Sequence, residues 1–165
     1  MKKPAGFILI ELIMTIVLVG IIGVFTSFFI YSAVNSYLYS KGANEAALKA
    51  QIVMDRISLE LRGINAISDY LDDTHIEYTN DDLPSTRKIR FDSGAGNILI
   101  TVGGSENILL NNVTTFNMSL DPADLYNPGD GIPEIAGINV SYTISGIGRM
   151  FSMRIFPRHP LPVPP

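Results

Sequence analysis

Glu11 is the only charged residue between Lys3 and Lys41, and it lies four places into an apolar run that starts at Phe7. Inside a membrane span an acid costs about 2.5–3.5 kcal/mol on insertion scales, so it marks a functional site that needs a partner. The remaining reactive residue types are scattered. His75 and His159 are far apart, and neither stands in a metal-ligand or triad spacing. There is no G-x-S-x-G and no cysteine nucleophile. The chain is therefore not expected to be an enzyme.

Acids gather in three places: Asp69, Asp72 and Asp73; Asp81 and Asp82; and a Pro- and Gly-rich loop at 121–134. Calcium prefers oxygen ligands from flexible, acid-rich loops. Asp121, Asp124, Asp130 and Glu134 are thus weak calcium candidates, although their spacing does not match an EF-hand. Solvated turn acids capping short strands explain all three groups adequately and are favoured over calcium, so no cofactor is expected.

The element that must carry Glu11 is a helix. Residues 7–30 are long enough to span a bilayer, which takes about 20 apolar residues. Lys2 and Lys3 precede the span, so they predict a cytoplasmic leader and a translocated C-terminal part. A secretory signal peptide fits poorly, because the run exceeds an ordinary h-region and no small-residue cleavage site follows it. A plain anchor with an incidental acid near its end stays possible. Tyr31, Tyr37 and Tyr39 suit an interface belt, and Lys41-Gly42 marks the exit from the apolar layer.

A short basic leader ending in Gly6, then Phe7, three apolar residues, Glu11 and a long apolar helix resembles the type IV prepilin signature. The resemblance covers residues 1–30 and implies cleavage between Gly6 and Phe7 by a membrane-embedded prepilin peptidase, which also methylates the new amino terminus. It further implies a partner for Glu11: the amine of Phe7, on the same subunit or a neighbour. Buried ion pairs of this kind speak for register more than for stability. Glu11 is accordingly expected to set the axial register of assembly.

Beyond the span, the 165 residues carry a formal charge of −4, with no basic patch suited to nucleic acid. Mean hydropathy is +0.26, much of it from the N-terminal run. Lack of cysteine does not argue against a periplasmic location for a domain able to bury a core. Ala47, Ala50, Met54, Ile57, Leu61 and Ile64 repeat at three- and four-residue steps, which predicts an amphipathic helix over 44–62, with Gly63 at its end. Unbroken from 7 to 62, such a helix would be about 84 Å long; Gly20, Gly23 and Gly42 are places where it could bend.

From about Ile67 the period changes to two. Short strands are expected at Ile76-Glu77-Tyr78, around Ile89, at 98–102, 107–110, 113–120, 138–144 and 150–155, separated by Gly-rich turns. Tight loops without intervening helices predict a largely antiparallel sheet. The fold class is therefore α+β: a long N-terminal helix, membrane-spanning in its first half and amphipathic in its second, packed on a β-sheet domain, as in pilins. The expected partition is a leader at 1–6, an assembly helix at 7–40, an extracytoplasmic domain at 41–156 and a Pro-rich tail at 157–165. That tail should be extended or disordered, with a frayed end favoured over a recognition segment.

Met54-Asp55-Arg56-Ile57-Ser58-Leu59-Glu60-Leu61-Arg62, together with the segment 109–116 and the Phe156-Pro157-Arg158 ending, also resembles J-type minor pseudopilins and related minor pilins. The resemblance implies a minor, tip or initiating subunit of a type II secretion pseudopilus, placed in the bacterial inner membrane with its domain periplasmic. Its partners would be other pilin-like subunits and the prepilin peptidase. The alternatives are a minor type IV pilin and a membrane-anchored binding module that shares the peptidase. For a DNA-capturing module the basic residues would be Arg87, Lys88 and Arg90.

Overall fold

A computed structural model describes residues 9–71, 74–80, 83–123, 133–146 and 148–164. The chain divides into two units, Met1–Asn44 and Glu45–Pro165. One helix, α1 (Leu9–Arg62), is followed by eight strands: β1 (Ile64–Leu71), β2 (His75–Asn80), β3 (Leu83–Asp92), β4 (Asn97–Val102), β5 (Ser105–Leu110), β6 (Val113–Ala123), β7 (Glu134–Ile144) and β8 (Met150–Ile155). The class is α+β, with an apolar N-terminal helix whose later residues pack on antiparallel strands.

The expected sheet is in fact two sheets, ordered β1-β2-β3-β4-β5 and β6-β7-β8, with every pairing antiparallel. The break falls at Asn112, whose φ of 59° turns the chain out of the ladder. Val113 N then donates to Gly96 O at 2.9 Å, and Ser145 N donates to Asn112 O at 2.7 Å. By contrast, Gly103 and Gly104 both have positive φ, which closes the β4–β5 hairpin with only two residues.

Ala50, Val53, Ile57 and Leu61 of α1 form one core with Ile76, Tyr78, Ile89, Ile98 and Ile100 of the first sheet and Met118, Ile138, Val140 and Tyr142 of the second. Each fully buried aliphatic side chain contributes about 1.5–3 kcal/mol. Ile64, expected on the helix stripe, is buried instead as the first residue of β1. The helix ends because its last carbonyls find other partners. Asn80 Nδ2 donates to Glu60 O at 3.4 Å, and Arg158 N donates to Arg62 O at 3.0 Å. Gly63 lies so close to Asn80 that an added Cβ would stand 2.7 Å from its Nδ2.

The Pro-rich segment differs from the frayed end expected for it. Leu161 is fully buried and Val163 packs against the core. Two backbone hydrogen bonds tie the segment to the start of β7. The alternation of Leu161 and Val163 with prolines supplies the apolar face that makes this docking possible.

Candidate functional site

Between Leu9 and Asn44 the helix buries none of its side chains, and its large apolar residues stand about half to three-quarters exposed. A contiguous apolar surface of this extent is not left to water; it marks a membrane or protein contact. The helix is long and apolar enough to cross a membrane, consistent with single-pass anchoring. Two of its hydroxyls bond back to the helix: Thr15 Oγ1 donates to Leu12 O at 2.8 Å and Ser27 Oγ to Gly23 O at 2.9 Å. Such back-bonding suits a lipid environment, where a free polar group is expensive. Gly20, Gly23 and Gly42 all lie within α1, so none of them ends it.

Glu11 is different. Its neighbours one helical turn away are Met14 and Thr15, and together with Ile10 and Leu18 these line a shallow depression around it. Among the described residues no cation pairs with it. The proposed cleavage residues Gly6 and Phe7, and the rest of the leader, lie outside the described residues.

A second acid on the same helix was not expected as a site. Glu60 lies three residues after Ile57 and next to Leu61, and it is only 5 % exposed. Arg87 Nη2 donates to its Oε1 at 2.8 Å while Arg87 Nε lies 2.8 Å from its Oε2. The Tyr78 hydroxyl donates to Oε2 at 3.1 Å, and Arg56 Nη2 approaches Oε1 at 2.7 Å. Burial and the neighbouring carboxylate push the Tyr78 hydroxyl far above its ordinary pKa. The period-two alternation could have found this cluster, since Arg87 shares its face with Ile89.

That placement also takes apart the one basic cluster of the sequence. Arg87 is buried against Glu60, Lys88 lies 3.8 Å from Glu77, and Arg90 is clamped by Glu106 at 2.6 and 2.9 Å. Arg90 holds the Glu106 carboxyl below its usual range. His75 Nε2 lies 2.8 Å from Asp69 Oδ2, and their hydrogen bond lowers the Asp69 pKa. This face of the first sheet is a ladder of paired opposite charges, which does not form the basic stripe that a nucleic-acid backbone favours.

Of the calcium candidates, Asp121 is paired with Arg154. The Arg154 side chain runs over Gly137, where an added Cβ would stand 2.8 Å from its Nε. Glu134 is buried at the start of β7. Asp124 and Asp130 lie outside the described residues. Among the described residues no group of three or more His, Cys, Asp or Glu side chains is arranged to hold a metal. His159, the remaining histidine, stands exposed in the Pro-rich segment.

Compared with protein-family models, with curated proteins and with solved structures, the chain gives no significant match.

Proposed function

We propose that the chain is a minor pseudopilin: a subunit of a type II secretion pseudopilus, at its tip or in its initiation complex, anchored in the bacterial inner membrane with its domain in the periplasm. The observation that carries the reading is Glu11, an acid with no cation among the described residues, on the 9–44 stretch of helix that buries none of its side chains. Such a group needs a positive charge from beyond the described residues. Cleavage between Gly6 and Phe7 would create one, the amine of Phe7, on this subunit or its neighbour. Pairing between subunits would then fix how far each is inserted along the assembly axis. On this reading the folded domain offers contact surfaces and performs no catalysis.

A minor type IV pilin would share this chemistry. The other class of reading is a membrane-anchored binding module that uses the peptidase only for processing. The paired charges of Lys88 and Arg90 and the burial of Arg87 favour assembly over a nucleic-acid-capturing version of that module.

Intact-mass and N-terminal analysis of the protein purified from membranes tests the processing step. The expected product starts at N-methylated Phe7; a chain that keeps Met1 in cells containing the peptidase would overturn the reading. Cross-linking to pilin-like neighbours separates a subunit from a binding module, which would give no such adducts.

A further inference from the structure

β8 stops opposite Ile138, at the Ile138–Ile155 pairing. Residues 134–137 of β7 are thus left with β6 on one side, through Ile135–Pro122 and Glu134–Ala123, and without β8 on the other. The Pro-rich segment fills that place. Ile135 N donates to Leu161 O at 2.8 Å, Val163 N donates to Pro133 O at 3.2 Å, and Glu134 stands opposite Pro162 in an antiparallel bridge. The bonding pattern decides which way each residue points. The main-chain groups of residues 161 and 163 face β7, so the nitrogen of residue 162 faces away from it.

That outward position is a proline, and Pro160 and Pro164 share its parity. Proline has no N–H, so the exposed rim of this last strand offers no donor at Pro162 and none at its same-parity neighbours. An unprotected edge, by comparison, presents a row of donors and acceptors to any passing strand. Meanwhile Leu161, only 1 % exposed, anchors the segment in the core, and Arg158 N caps α1 at Arg62 O.

We propose that residues 156–164 are a strap that finishes the three-stranded sheet within the chain and closes its edge to further strands. The same fragment that completes the core thereby denies this edge to other chains.

The test uses the full chain in detergent micelles and two readouts: hydrogen exchange at the Ile135 amide and the fraction of cross-linked copies. Replacing the prolines together, Pro160→Ala, Pro162→Ala and Pro164→Ala, restores outward donors and leaves Leu161 in place. The expected result is unchanged exchange at Ile135 with a several-fold rise in cross-linked copies over the wild type. No rise would overturn the edge-closing role. Leu161→Asp should undock the strap and speed exchange at Ile135 roughly tenfold or more; wild-type exchange in that variant would overturn the docking. Should that variant fail to fold, a chain lacking residues 159–165 is mixed with a synthetic peptide of residues 157–165. Slow exchange or folding regained with the peptide supports the strap, and no difference with the peptide overturns it.

Discussion

α1 carries two glutamates in apolar surroundings and treats them in opposite ways. Glu60 is buried and surrounded by Arg87, Tyr78 and Arg56, all drawn from its own unit. Glu11 sits on an exposed apolar surface without a described cation. A charge satisfied within its own fold is explained by that fold. A charge with no cation among the described residues leaves its partner to be found, and the proposed function assigns it the amine of Phe7. The comparison therefore separates a structural acid from a candidate functional one on a single helix, and it can be broken from either end.

The largest effect is expected at Glu60. Glu60→Leu leaves the Arg87 guanidinium buried and unpaired, which should cost about 3–5 kcal/mol in urea unfolding of the full chain in micelles. Adding Arg87→Met should recover most of the loss, because replacing both partners removes the stranded charge. A double variant as unstable as the single would mean that the pair does more than satisfy itself.

A smaller effect belongs to Tyr142, whose hydroxyl donates to Ala50 O at 2.7 Å and joins β7 to the helix. Burial raises its pKa well above the ordinary tyrosine value. Tyr142→Phe should cost about 1 kcal/mol by the same measurement. This sharpens the contrast by showing how little one neutral hydrogen bond adds beside a saturated buried charge.

The smallest effects lie on the charge ladder of the first sheet. Asp69 is held below its usual pKa chiefly by the hydrogen bond from His75, and Glu106 chiefly by that from Arg90. Both carboxyls titrate lower folded than unfolded. The stability they add is thus present above the ordinary carboxylate range and is lost as pH falls through their depressed values. Both are solvent-exposed, so screening keeps the contribution slight. Glu106→Gln should lower the urea midpoint a little at neutral pH, and the gap from wild type should vanish in acid. A gap that widens in acid would contradict the assignment.

Much of this was legible from residue spacing. The three- and four-residue steps through Ala50, Met54, Ile57 and Leu61 placed the core face of the helix, and the alternation at 98–102 and 138–144 placed strands. Glu60 was missed because an acid between Arg56 and Arg62 reads as an ordinary surface charge. Only the helical position relative to Ile57, read together with the parity of Arg87, reveals that both point inward. Division into two sheets was not legible, because it depends on the left-handed turn at Asn112 and on a contact with Gly96 from a distant turn. The docked Pro-rich segment was hidden by composition: prolines suggest an untied end, whereas here their missing donors fall on the rim that needs none. Glu11 stood out at once, since a lone acid in a long apolar run has few readings.

The central claim is the proposed role of Glu11, paired with the amine of Phe7, in setting the register of assembly, and Glu11→Gln tests it most directly. The variant should insert in the membrane and unfold in urea like the wild type, yet lose cross-links to pilin-like neighbours. Normal cross-linked assembly by Glu11→Gln would contradict the account.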